Sequence, residues 1–234
     1  MSIRSFKYLF LIYFGAFLLY SYNLKSQIRS SKASPEKASI GSIQELKNQI
    51  RSEYKKYKAM YATVVTNFGE FKIKLAHINA PITVKNFVDL AEGKRAWIDR
   101  SKARPEAVTR KYYDGLTFHR ISPNFVIQGG DPKGDGTGGP GYYIPDEHHQ
   151  LLKHDKKGVV SMANAGPGTT GGQFFILLRG SREGDQLDGF FNVFGQITDG
   201  MDTVDKIAKI PTLPNERPRQ KISIKSITIQ RIPR

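Results

Sequence analysis

Between Phe118 and Asp131 the chain reads FHRISPNFVIQGGD, and four of those side chains could act together on a peptide. Arg120 is permanently charged and presents planar donors. Gln128 carries an amide that both donates and accepts. Phe118 and Phe125 supply aromatic surface. The spacing predicts two short strands joined by a tight turn, which keeps these groups in one small region. A cation beside an aromatic wall suits gripping a proline ring and polarising the peptide bond before it. Such a bond resists rotation by about 18–20 kcal/mol, because the nitrogen lone pair is delocalised into the carbonyl. For X–Pro the two isomers are close in energy, so the difficulty is kinetic. Accelerating the rotation needs no nucleophile and no proton transfer. It needs the twisted, less delocalised state to be bound better than either planar state.

Two further blocks follow in order, SMANAGPGTTGGQFFI over Ser161–Ile176 and LDGFFNVFG over Leu187–Gly195. The three blocks together resemble the core signatures of the cyclophilin family of peptidyl-prolyl cis/trans isomerases. The resemblance implies that Arg120 hydrogen-bonds the proline nitrogen once it becomes pyramidal. Gln128 would hold the substrate carbonyl oxygen or orient Arg120. Phe125, Val126, Phe175, Leu187 and Phe191 would wall the proline pocket, although each taken alone reads as a core residue. Asn164 would meet the substrate backbone through its main chain, with Ala163 and Gln173 alongside, and Gly136 and Thr137 would line a neighbouring pocket. No metal and no cofactor are implied, and the expected partners are proline-containing polypeptides. Three positions depart from the family pattern. Val126 stands where most members have methionine, Phe191 where the best-known members have histidine, and Gln186 where cyclosporin-sensitive members have tryptophan. Intact catalysis with weakened cyclosporin binding is the expectation. A non-catalytic proline-binding module or holding chaperone is the alternative.

The surrounding 234 residues allow one large domain with an appendage. Lys plus Arg number 36 against 21 Asp plus Glu, a formal charge of +15. Eleven of the basic residues, with three acidic ones, fall within residues 1–60. The excess reads as a solvated basic tether beside a membrane, and no nucleic-acid partner is expected. The absence of cysteine excludes disulfides, thiolate metal sites and a cysteine nucleophile. Tyr8–Leu24 is an uncharged run of 17 residues after Arg4 and Lys7 and before Lys25. Residues 1–25 are expected to form a signal anchor that holds the chain in a membrane, with a cleaved signal peptide as the alternative. The isomerase domain would then lie outside the cytoplasm, in the periplasm of a bacterium, and assist the folding of exported proteins.

Residues 26–60 read as a basic linker followed by an amphipathic tether helix. Ser42 and Glu45 form a capping-box pattern, and Ile43, Leu46, Ile50, Tyr54, Tyr57 and Tyr61 recur at helical spacing, predicting a helix over 43–60 that docks on its own domain. From residue 61 to 234 the pattern is mainly β. Phe71, Ile73 and Leu75 alternate with Lys72 and Lys74 after a turn at 67–70. Pro81 opens a helix that Gly93 ends. Strands are expected near 117–121, 125–130, 159–163, 173–178 and 193–198, a helix from Met201, and a closing strand whose phase shift between Ile224 and Ile227 predicts a bulge. Such a pattern suits a barrel, since closure removes sheet edges. Spacing alone leaves the strand number open; the family resemblance makes it a closed eight-stranded antiparallel β-barrel capped by two helices, with the groove outside. Lys94–Lys111, with seven basic residues, Trp97 and Pro105, reads as a solvated surface insertion.

Other chemistry-bearing groups carry less weight. Gly136, Gly138 and Gly141 match G-x-G-x-x-G but precede no helix. Glu147, His148, His149 and His154 lack metal-ligand spacing. His119 reads as a structural hydrogen-bonding residue, and Ser161 and Asp188 give no persuasive hydrolase triad.

Overall fold

The computed structural model describes residues 40–100, 104–181 and 186–234. The expected anchor and linker lie outside the described residues. Among the described residues no helix is long and apolar enough to cross a membrane.

The first element is α1, Ile40–Tyr54. It begins two residues before Ser42, so Ser42 is not its cap. It also ends earlier than its apolar spacing predicts. Tyr57 and Tyr61 belong to β1, Tyr57–Thr66. A separation of four residues satisfies a helix face and a strand face equally. Pairing on both sides of β1 decides for the strand here. Ile50 and Tyr54 are buried while Leu46 stays 43% exposed. The helix docks on its own domain: Arg51 Nε donates to Ile78 O at 3.0 Å, and the Tyr54 ring meets His77 edge-on.

β1 and β2 (Gly69–Leu75) form the expected hairpin. Met60, Ala62, Val64 and Thr66 are buried on β1, and Phe71, Ile73 and Leu75 on β2, each by strict alternation. Next comes α2, Pro81–Glu92, opened by its proline and closed by Gly93 at φ 71°. The described part of the 94–111 segment is largely exposed, as expected of a surface insertion, but it is pinned by one buried indole. Its strands β3 (Trp97–Asp99) and β4 (Glu106–Val108) pair, and Trp97 is only 3% exposed. The indole packs edge-on against Tyr112 and donates through Nε1 to Arg110 O. The Arg110 guanidinium returns over the indole ring and ion-pairs with buried Asp99. A tryptophan carries too much apolar area to leave in water, so it anchors the insertion.

The remaining strands are β5 (Thr117–Ser122), β6 (Val126–Asp131), β7 (Val159–Met162), β8 (Phe174–Leu177), β9 (Val193–Asp199) and β10 (Ile224–Pro233), with α3 (Met201–Ala208) before the last. With β1 and β2 these six strands form one eight-stranded antiparallel sheet in the order β10-β1-β2-β9-β7-β8-β6-β5. The expected bulge is present: Val65 faces Ser226 but Thr66 faces Ile224, leaving Lys225 over. Full barrel closure is replaced by a curled sheet with a short seam. The edge strands meet through one bridge, Thr117 to Ser223, with Phe118 N donating to Ile222 O and Gly115 N to Ile224 O nearby. Inside the curl, Phe71, Phe87, Tyr113, Phe118, Phe174 and Phe194 form a fully buried aromatic core. Phe87 comes from α2, and α3 adds Val204 and Ile207.

Candidate active site

β7 and β8 read VVSM and FFIL, without the usual polar alternation, and every residue in them is buried. Such runs mean burial on both faces of a sheet. Val160, Met162, Phe174 and Ile176 point into the main core. Val159, Phe175 and Leu177 join Val126, Leu187 and Val193 in a second, separate apolar cluster, against which Phe125, Ala163, Phe191 and Leu152 pack. The sheet therefore has an apolar patch on its outer face. All the expected pocket walls gather there: Phe125, Val126, Phe175, Leu187 and Phe191, with Ala163.

Arg120 reaches that same face because of a bulge in β5. Phe118 pairs with Gly129, and Arg120 pairs with the adjacent Gln128, so His119 is an extra residue. Without it, Arg120 would share the inward face of Phe118, two residues away. The register then lines up one outer row across five strands: Arg120, Gln128, Phe175, Ser161 and Val193. The tight turn before β6 holds Asn124 at φ 59°, a conformation asparagine tolerates, and Phe125 N donates to Ser122 O. On β6, Gly130 sits at φ 83°, where a Cβ would lie 2.9 Å from Gly172 O, so only glycine lets β6 and that loop approach.

Hydrogen bonds run along the polar end of the row. Arg120 Nη1 donates to Gln128 Oε1 at 3.2 Å, and Gln128 Nε2 donates to Gln173 Oε1 at 2.9 Å. Gln173 Nε2 in turn donates to Gly136 O and Gly138 O. Thus Arg120, Gln128, Gln173 and Gly136 form one connected system. Thr137 lies on the same loop, its hydroxyl donating to Asp135 Oδ1. Asn164 spends its side chain on structure, donating to Phe190 O at 2.7 Å and accepting from Gly166 N. Two more residues stand at the site, Glu216 without any signal in the sequence pattern and Phe190 inside the third block. Glu216 accepts from Arg120 Nε at 2.7 Å, which leaves Nη2 without a protein partner among the described residues. Phe190 stands beside Phe191 and is 57% exposed.

Behind Phe175 a polar chain runs from exposed Asp188 inward to buried His154 and Ser161. His154 Nδ1 meets Asp188 Oδ1 at 2.8 Å and its Nε2 meets Ser161 Oγ at 3.1 Å. The three residues thus line up as a hydrolase triad would. Ser161 is fully buried and His154 is 1% exposed beneath the stacked Phe175 ring, so no substrate carbonyl can reach the hydroxyl. Burial pushes the His154 imidazole below its usual pKa, only partly opposed by Asp188. Burial works to raise the Asp188 carboxyl, but the bonds from the His154 main chain and ring outweigh it and hold it low. His119 is likewise lowered, chiefly by burial. Glu147, set aside above as a metal ligand, accepts from Ile82 N, Thr83 N and the Thr83 hydroxyl.

Residues 61–229 match the family described as cyclophilin type peptidyl-prolyl cis-trans isomerase/CLD. The chain is similar to peptidyl-prolyl cis-trans isomerase B of Streptomyces anulatus, 43% identical over 174 residues that cover 73% of this chain and 97% of that protein. Its fold is similar to the crystal structure of a Cryptosporidium parvum cyclophilin type peptidyl-prolyl cis-trans isomerase, with a TM-score of 0.63 and 33% identity over 74% of this chain and 98% of that one. The same parasite protein studied in the presence of the dipeptide Ala-Pro gives a TM-score of 0.62 and 33% identity, over 73% of this chain and 98% of that one.

Proposed function

This chain belongs to the cyclophilin-type peptidyl-prolyl cis-trans isomerases, and on that premise we propose that Arg120 and Gln128 carry its catalysis. The proline ring sits on the outer patch of Phe125, Val126, Phe175, Leu187 and Phe191. Ala163, the Asn164 main chain and Gln173 align the substrate backbone, and Gly136 and Thr137 line a neighbouring secondary pocket. As the imide twists, its nitrogen becomes pyramidal and regains a lone pair. The Arg120 guanidinium donates to that lone pair, a bond that is poor in either planar state. Gln128 holds the guanidinium from one side and polarises the substrate carbonyl. The observation that carries this reading is the outer row, in which Arg120 and Gln128 run directly into the Phe175 wall.

Protease-coupled assay of a proline peptide tests it. Arg120→Ala is expected to lower kcat/KM by about a hundredfold to a thousandfold, the loss typical of one charged donor in a transition state. Wild-type turnover by that variant overturns the assignment. Weak cyclosporin inhibition is part of the same reading, since Val126, Gln186 and Phe191 offer less to the drug; inhibition at nanomolar concentration overturns it.

The uncharged run over residues 8–24, flanked by Arg4, Lys7 and Lys25, supports a membrane-tethered or exported enzyme acting on unfolded exported proteins. Intact-mass measurement of membrane and soluble fractions tests the placement. Full-length chain in the membrane fraction, or a product shortened near residue 25, is expected. Full-length chain confined to the cytosol overturns it.

A further inference from the structure

We infer that Glu216 is a positioning residue that fixes the guanidinium of Arg120, an inference that rests on the catalytic reading of Arg120. Glu216 lies 96 residues from Arg120 in sequence and belongs to the loop between α3 and β10. That loop is closed on itself: Leu213 N donates to Arg217 O, Glu216 N to Leu213 O, and Arg219 N to Pro211 O. Its link to the outer edge of β5 is Ile121 N donating to Glu216 O at 2.8 Å. On either side of Ile121, Arg120 and Ser122 share the opposite strand face. Both side chains end on the Glu216 carboxylate. Arg120 Nε donates to Oε2 at 2.7 Å and the Ser122 hydroxyl donates to Oε1 at 2.5 Å. The main chain of Glu216 adopts φ 63°, unusual for a residue with a long side chain. Three independent bonds thus hold one residue in a strained conformation at the edge of the reacting groups.

The consequence for Arg120 is geometric. An unrestrained arginine spreads over many rotamers, and freezing it during the reaction costs entropy. Here Nε is held by Glu216 and Nη1 by Gln128, on two edges of a rigid planar group. The plane and its remaining donor are fixed before substrate arrives, which is where orientation contributes to rate. The carboxylate also opposes the positive charge that Arg120 offers the substrate. Positioning and charge damping predict opposite effects of removing Glu216, so the two can be told apart.

The test compares Glu216→Ala, Glu216→Gln and Arg120→Ala in steady-state assays of a proline peptide, with thermal melts of each variant. Glu216→Ala is expected to lower kcat about tenfold with KM within about twofold of wild type. Glu216→Gln keeps an oxygen for Arg120 Nε and an amide for the Ser122 hydroxyl, so it is expected to restore most of kcat. The double variant Arg120→Ala/Glu216→Ala is expected to be no worse than Arg120→Ala alone. A rise in kcat for Glu216→Ala, unchanged kcat, or a loss confined to KM overturns the positioning role while leaving Arg120 intact. A Gln variant as poor as Ala, with a wild-type melt, also overturns it, since geometry would then not be what matters. Full activity of Arg120→Ala would instead bring down the catalytic reading beneath it.

Discussion

The amide of Gln173 sets the direction of the polar row that ends on Arg120. Gly136 O and Gly138 O only accept, so Nε2 of Gln173 must face them and Oε1 must face Gln128. That choice obliges Gln128 to present Nε2 to Gln173 and Oε1 to Arg120. Replacing Gln173 by Glu removes the donor and sets a carboxylate oxygen against two carbonyl oxygens. The loop carrying Gly136 and Thr137 then loses its tie, and the repelled carboxylate shifts the oxygen that accepts from Gln128 Nε2. Gln173→Glu is expected to lower kcat/KM about tenfold, equivalent to about 1.4 kcal/mol, and to lower the melting temperature as well, because the carboxylate is buried against acceptors. Unchanged kcat/KM in that variant would show that the relay does not reach Arg120. Gln173 lies within the second sequence block and was expected at the site on that ground. Its control of polarity follows only from which carbonyls surround it.

At the scale of elements, α2 receives its N-terminal cap from a distant loop. Ala80 offers no side-chain acceptor, and Glu147 supplies one instead, taking Ile82 N at 3.3 Å and Thr83 N at 2.8 Å. Glu147 is 3% exposed, so its loss leaves those N–H groups buried and unpaired. Glu147→Ala is expected to reduce the unfolding free energy by about 1–3 kcal/mol, read by urea titration; an unaltered midpoint would refute the cap. Strands and their faces were legible wherever alternation was strict, as in β2 and the phase shift of β10. The β5 bulge also left a trace, since Phe118 and Ile121 are both core residues yet stand three apart. Less was legible where one spacing served two structures. Tyr57 and Tyr61 suited a helix as well as a strand, and pairing with β2 and β10 decided the matter. The insertion at 94–111 is as exposed as its charge implies, but the pattern gave no sign that Trp97 anchors it. Glu216 left no trace, because its bond to Arg120 crosses 96 residues and no local pattern encodes it.

For the whole molecule, the sheet keeps two apolar layers, a large one inside the curl and a small one outside it, and the small one stands over a buried histidine. His154 is 1% exposed and its imidazole is lowered mainly by burial, with the Asp188 bond opposing. His119, lowered by burial as well, adds to the same effect from β5. An unfolded chain takes up protons on both rings near the ordinary histidine value of about 6.5. The folded chain does so only at lower pH. Above that ordinary value both states are neutral at these rings and stability is at its plateau. As pH falls through it, the unfolded state gains protons that the native state refuses, and stability declines until the lowered native values are reached. Asp188, held low by His154, adds a separate loss at still lower pH, as its own carboxyl is protonated. The melting temperature is therefore expected to hold steady from about pH 8 to about pH 7 and to fall as the pH drops below about 6.5. His154→Gln is expected to melt lower at pH 8, because it loses the Asp188 and Ser161 contacts, but to show a shallower fall with acid. An equally steep fall in His154→Gln and wild type would place the acid sensitivity elsewhere and detach the outer apolar layer from this ring.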